Sequence, residues 1–190
     1  MVLFTIREII DLVILTVGLG YIFSAYISRP KTELELVYPK LGLSWRDFKF
    51  AIIVTAPAVI LHELAHKFVA MGFGLEAVFK AWYAGLGIGV FLRVINSPLI
   101  LLAPGYVQIP PSSSNLAIFM TAFAGPLTNL LLFGVAGYIL THAKKLTRNQ
   151  AITIYLTKQI NFFLFIFNML PIPPLDGSKV FSALFQLIFA

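Results

Sequence analysis

The sequence has no cysteine anywhere in its 190 residues. That excludes a disulfide scaffold, thiolate-ligated zinc, an iron–sulfur cluster and a thiol nucleophile. Charge is also scarce. Asp, Glu, Lys and Arg together make up 12%, against about 25% in ordinary soluble domains. From residue 94 to residue 143 none of the four occurs. A soluble sphere of this size needs more charge to cover its surface, so the composition argues against a soluble globular domain, a disordered chain and a fibrous one. What fills the space is apolar: 59% of residues, with a mean hydropathy of +0.90. This is the composition of a membrane protein, and the length fits a single domain over residues 1–190. The net charge of +6 comes from 14 Lys and Arg residues scattered along the chain. Such scatter suits loops beside anionic lipid and lacks the basic patch that nucleic acid requires.

A spanning helix takes about 20 mostly apolar residues. We place spans at residues 9–28, 50–71, 116–140 and 151–170. The first starts beside Arg7, Glu8 and Asp11. Its uncharged stretch exceeds a signal peptide's apolar core and no small-x-small cleavage site follows, so it reads as a retained helix. Residues 29–49 are the most charged stretch and form a polar loop, in which the alternation Glu33-Leu34-Glu35-Leu36 suits a short strand over 33–38. Residues 72–115 are interrupted by Gly72, Gly74, Gly85, Gly87 and Gly89, then by Pro104-Gly105 and Pro110-Pro111. They read as short strands or a re-entrant segment packed on protein, because lipid does not tolerate irregular backbone. Ala124-Gly125-Pro126-Leu127-Thr128-Asn129 breaks the third span near its middle. Residues 180–190 are apolar but short, a partial helix inside the bundle. The expected fold is an all-α polytopic membrane protein of the cell membrane, with about four spans and a short β or re-entrant segment.

The second span changes character at His62-Glu63-Leu64-Ala65-His66. Ionisable groups at membrane depth are costly and mark function by default. In a helix, residues i and i+4 lie on one face, one turn apart, so two imidazoles can hold one Zn²⁺. Glu63, beside the first ligand, can take a proton from a water activated by that ion. The chemistry is amide hydrolysis. With three His and five Glu in the chain, random placement gives this pattern roughly once in a thousand chains.

A catalytic zinc needs a third protein ligand and an open fourth position. Val69 and Gly72 stand where a metzincin needs Gly and His, so that class fails. Between residues 67 and 175 the only acidic residue is Glu76, close to the end of the span, and His142 adjoins a basic loop. Asp176 remains. It is either an ordinary turn residue in Leu175-Asp176-Gly177 or the third ligand, and an unfilled zinc site favours the ligand.

HELAH in an apolar helix, followed by Asn168-Met169-Leu170-Pro171-Ile172-Pro173-Pro174-Leu175-Asp176-Gly177, resembles the site-2 protease family of intramembrane metalloproteases. The family's HExxH and NxxPxPPLDG motifs are both complete, AGPLTN at 124–129 resembles a family element between them, and the likeness extends over residues 50–180. The resemblance implies zinc ligands at His62, His66 and Asp176, a catalytic base at Glu63, and one Zn²⁺. It also implies that Asn168 and Asn129 hold substrate backbone or the oxyanion, where the plainer reading is an interhelical hydrogen bond. The implied partners are the lipid bilayer and a single-span membrane protein as substrate.

A buried substrate helix must unwind before its carbonyls can be attacked. The alternating Gly85, Gly87 and Gly89 could form a strand that pairs with the unwound chain, with Gly85 and Gly87 in contact with it. Close helix packing is the competing use of such glycines. A metal-binding transporter or channel with the same ligands is the alternative function. No paired broken helices in repeated halves speak for it.

Overall fold

The computed structural model describes residues 3–27, 29, 31, 33–37, 44–97, 105–110 and 113–189. Within them stand α1 (Ile6–Phe23), α2 (Glu33–Val37), α3 (Trp45–Gly72), β1 (Val78–Ala81), α4 (Tyr83–Val94), β2 (Gly105–Gln108), α5 (Asn115–His142), α6 (Arg148–Asn168) and α7 (Asp176–Phe189). The helix starts are written into the sequence. Thr5 with Glu8 and Thr147 with Gln150 form capping boxes, while Ser44 and Ser114 cap α3 and α5. Each supplies an acceptor to a first-turn N–H that has no helical partner.

α5 lies at the centre and packs against α3, α6 and α7, while α1 packs against α3, α4 and β1. Leu15, Leu19, Ala58, Val59, Phe79 and Leu86 belong to the core where α1, α3, α4 and β1 meet. α3 and α5 each run 28 residues, with mean hydropathies of 1.6 and 1.8 over their most apolar 18-residue windows. At 1.5 Å per residue each is about 42 Å long, more than a bilayer's hydrocarbon core of about 30 Å.

Several expectations change. Of the four spans, those at 50–71 and 116–140 become α3 and α5 and are long and apolar enough to cross. Those at 9–28 and 151–170 become α1 and α6, which do not meet that measure. α1 carries Arg7, Glu8 and Asp11 among its 18 residues, and α6 carries Arg148, Lys158 and several amides. The strand expected over 33–38 is instead the helical turn α2. Alternation makes a strand only where an edge is on offer, and β1 and β2 pair with each other. The strand expected over residues 85–89 is part of helix α4. Gly85 and Gly89 lie one turn apart and are buried, and Leu86 between them packs so close to α1 that a Cβ added at Gly18 would meet its Cδ2 at 3.2 Å. Gly85 and Gly89 thus sit on the buried face of a helix and not in a strand. The break expected at 124–129 is absent, because α5 runs unbroken through Pro126.

The strands expected somewhere in residues 72–115 are β1 and β2. They pair antiparallel, with Phe79 opposite Val107 and Ala81 opposite Gly105. The N–H groups of Phe79 and Ala81 point away from β2, to Glu8 and Asp11 of α1. By alternation Val78 and Lys80 bond to Gln108 and Tyr106, so the backbone groups of Gly105 and Val107 face outward on the free edge of β2.

Candidate metal centre

α3 buries one face along its length, at Thr55, Val59, His62, Glu63, His66 and Ala70. The spacing of three and four residues stacks His62 and His66 on that face. Facing them is a stripe of α5 at four-residue intervals, Thr121, Gly125 and Asn129, all buried. Gly125 stands where α5 comes nearest: a Cβ there would lie 2.4 Å from His66 Nε2 and 2.6 Å from His62 Nε2. Only glycine lets the helix approach that far.

Asp176 comes from the first turn of α7. Its neighbour Gly177 is pressed against the end of α6, where a Cβ would meet the Leu170 carbonyl oxygen at 2.4 Å. That contact folds the start of α7 back toward α3. Asp176 Oδ2 reaches 3.0 Å from His62 Nε2 and 3.2 Å from His66 Nε2, and the two Nε2 atoms are 3.0 Å apart. Four donors around zinc at about 2.0–2.1 Å stand about 3.3 Å from one another. The spacing is that of a metal ligand set, and these three residues form the metal-type cluster among the described residues.

The outer hydrogen bonds of the two imidazoles point the same way. His66 Nδ1 faces the Thr121 carbonyl oxygen at 2.6 Å, an atom that can only accept, so Nδ1 carries the proton. His62 Nδ1 lies 2.6 Å from Asn129 Oδ1. The Asn129 amide nitrogen is engaged elsewhere, donating to the Ala58 carbonyl at 3.0 Å and to Asn161 Oδ1 at 2.9 Å. Its oxygen therefore faces His62 as an acceptor, and His62 Nδ1 also carries its proton. In both neutral rings Nε2 is left with a lone pair, and both lone pairs share one small volume with a carboxylate. Three electron-rich atoms in van der Waals contact repel unless a cation lies among them. Zn²⁺ fits this donor set, with the outer hydrogen bonds fixing each imidazole as second partners of metal ligands do.

Glu63 is buried beside the cluster, and its Oε2 has no hydrogen-bond partner among the described residues. It lines a cavity of about 630 Å³, together with His62, His66, Asp176, Asn168 and the β2 edge at Gly105 and Val107. Of the expected substrate contacts, Asn168 is therefore at the cavity wall. Asn129 is not: it is 0% exposed and stands behind His62. Gly85 and Gly87 lie in α4 and do not line the cavity. Glu76 and His142 are exposed, as expected of residues that bind no metal. Sequence reasoning missed Asn161, which orients Asn129 while its own amide nitrogen donates to the Thr157 carbonyl at 2.8 Å. The available signal was an amide side chain at the start of the apolar run 162–167, which usually means an interhelical hydrogen bond.

Residues 133–190, which include Asp176 and Asn168, match the model of peptidase family M50. A relative from Methanocaldococcus jannaschii with zinc metalloprotease in its name is 36% identical over 183 residues, covering 93% of this chain and 84% of the relative. One from Bacillus subtilis, with the same words in its name, is 30% identical over 151 residues, 71% of this chain and 68% of the relative. A third, from Synechocystis, is 28% identical over 150 residues and is covered over 35% of its length. His62, His66 and Asp176 thus form a cluster that could hold a metal ion, and the chain belongs to peptidase family M50, the site-2 protease family.

Proposed function

We propose that this chain is a zinc-dependent intramembrane endopeptidase of the cell membrane, hydrolysing peptide bonds within or beside the transmembrane segments of single-span proteins. The observation that carries the reading is Glu63: a buried carboxylate with one oxygen lacking any partner among the described residues, beside three converging metal donors and at the wall of a cavity.

Zn²⁺ held by His62, His66 and Asp176 would supply a Lewis acid that lowers the pKa of a water and polarises a carbonyl. Glu63 is the base placed to take a proton at its unpartnered oxygen and return it to the leaving amine, a general-base and then general-acid role. Asn129 and the Thr121 carbonyl keep both Nε2 atoms free of protons. Asn168, at the cavity wall, is placed to receive the substrate backbone or the developing oxyanion. The strand that pairs with an unwound substrate is β2. Its outward N–H and C=O groups at Gly105 and Val107 border the cavity and can replace the hydrogen bonds the substrate helix gives up.

The membrane setting is supported by inversion. α1 buries Glu8 and Asp11 while exposing Ile6, Ile9, Ile10, Val13 and Val17. α6 buries Asn161 while exposing Phe162, Phe163 and Ile166. Helices with polar interiors and continuous apolar outer faces are stable in lipid and a liability in water. On this reading α1 and α6 complete a four-crossing bundle with α3 and α5.

Glu63→Gln tests the chemistry. In detergent or proteoliposomes the variant retains one zinc by metal analysis, and cleavage of a single-span reporter falls by about 10²–10⁴-fold. Undiminished cleavage would end the protease reading. Zinc flux across vesicles without peptide cleavage would point to a transporter.

A further inference from the structure

α1 spends two carboxylates on its buried face, where apolar side chains would pack as well. Glu8 and Asp11 are 1% and 2% exposed. Glu8 Oε2 takes the Thr5 N–H at 2.9 Å, while Oε1 takes the Phe79 N–H at 2.8 Å and pairs with Lys67 Nζ. Asp11 takes the Ala81 N–H at 3.0 Å and the Tyr83 hydroxyl proton. Lys67 is fully buried, follows His66 directly on α3, and lies over the Phe4 ring at 5.0 Å.

Stability does not account for this arrangement. A buried ion pair is often no better than the apolar residues that would replace it. What carboxylates supply, and leucines cannot, is acceptors for the two N–H groups on the outer edge of β1. Without them those donors would be buried and unpaired, or the edge would be open to another strand. The same Glu8 oxygen that holds Phe79 also holds the residue next to a metal ligand, so the sheet is tied directly to the metal-bearing turn of α3.

We propose that Glu8, Asp11 and Lys67 form a clamp that fixes the β1–β2 ribbon against that turn, so that the outer edge of β2 faces the cavity at the correct depth. They are positioning residues for the substrate strand. This second part rests on the protease reading, while the clamp itself does not.

The test compares the zinc-loaded chain in detergent with the Glu8→Leu/Lys67→Met double variant, which removes both charges and leaves neither unpaired. Hydrogen–deuterium exchange over residues 78–81 and 105–108 should rise about tenfold or more in the variant, with α3 exchange and zinc stoichiometry unchanged. Binding of a fluorescent single-span reporter peptide, with a Leu/Ala span and a central Gly-Pro pair, should weaken about tenfold, while kcat at saturation stays within about twofold. Asp11→Asn, which keeps a carbonyl acceptor, should move exchange less than Asp11→Leu. Unchanged exchange in the double variant overturns the clamp. Raised exchange with unchanged reporter affinity overturns its role in positioning substrate. A wild-type holoenzyme that binds the reporter but cleaves nothing counts against the protease reading instead, and leaves exchange and affinity to decide the clamp.

Discussion

Asn129 donates through its amide nitrogen to two oxygens, and so presents its own oxygen to His62. The residue thereby sets which imidazole nitrogen keeps a proton. Asn129→Leu removes that acceptor and lets the ring tautomerise or turn. Zinc affinity should fall about 10–100-fold, as for other partners of metal-ligating histidines, with the helical content retained by circular dichroism. A substrate-contacting asparagine would instead raise KM at constant zinc content. Gly125→Ala acts at the same place by volume. Its methyl carbon would lie within 2.4–2.6 Å of both Nε2 atoms, so α3 and α5 must part or the rings must swing. Loss of bound zinc, read by metal analysis on protein that still elutes as a single species, is the expected outcome.

At this scale the centre was largely legible in the sequence. HExxH carries its own helical geometry, and Leu-Asp-Gly was the remaining acidic candidate after Glu76. The roles of Asn129 and Asn161 were not legible, because a polar residue on an apolar helix signals only that it has some partner. Which partner depends on how helices α3, α5 and α6 are rotated against one another, and no local pattern records that.

Among the elements, β2 brings a backbone edge to the cavity at Gly105 and Val107. Val107→Pro removes one outward N–H from its free edge while leaving the pairing of Tyr106 and Gln108 with β1 in place, since proline is tolerated on an edge. Cleavage of a membrane-embedded reporter should drop at least about tenfold, the value of one to two backbone hydrogen bonds, with zinc content unaltered. Full activity would remove β2 from substrate binding. The helix–strand confusion at Gly85, Gly87 and Gly89 belongs here too. A period of two implies a strand only when a partner edge exists. In α4 Gly85 and Gly89 instead fall one helical turn apart on a buried face, a spacing that the same letters also satisfy. For residues 33–38 the alternation was misleading for the same reason.

For the molecule as a whole, the outer surface bears on the membrane reading. Val17 stands on the exposed face of α1, well along a helix whose charges are gathered in its first turns. If α1 crosses the bilayer, Val17→Lys costs about 2.5–3.5 kcal/mol of insertion free energy near mid-membrane. The inserted fraction should then fall in a protease-protection assay. An α1 that faced water would accept lysine without loss. Composition pointed to a membrane, but not to how many helices are long and apolar enough to cross one. The charges of α1 read as the polar start of a span, whereas the folded chain turns Glu8 and Asp11 inward to the sheet, a use that depends on residues about seventy positions downstream.

The donors of the centre lie far apart in the chain, with Asp176 following His62 by 114 positions. A ribosome that has delivered HELAH has therefore delivered only two of the three donors. The third is made after α3, α5 and α6, so a polypeptide terminated before residue 176 carries an incomplete donor set.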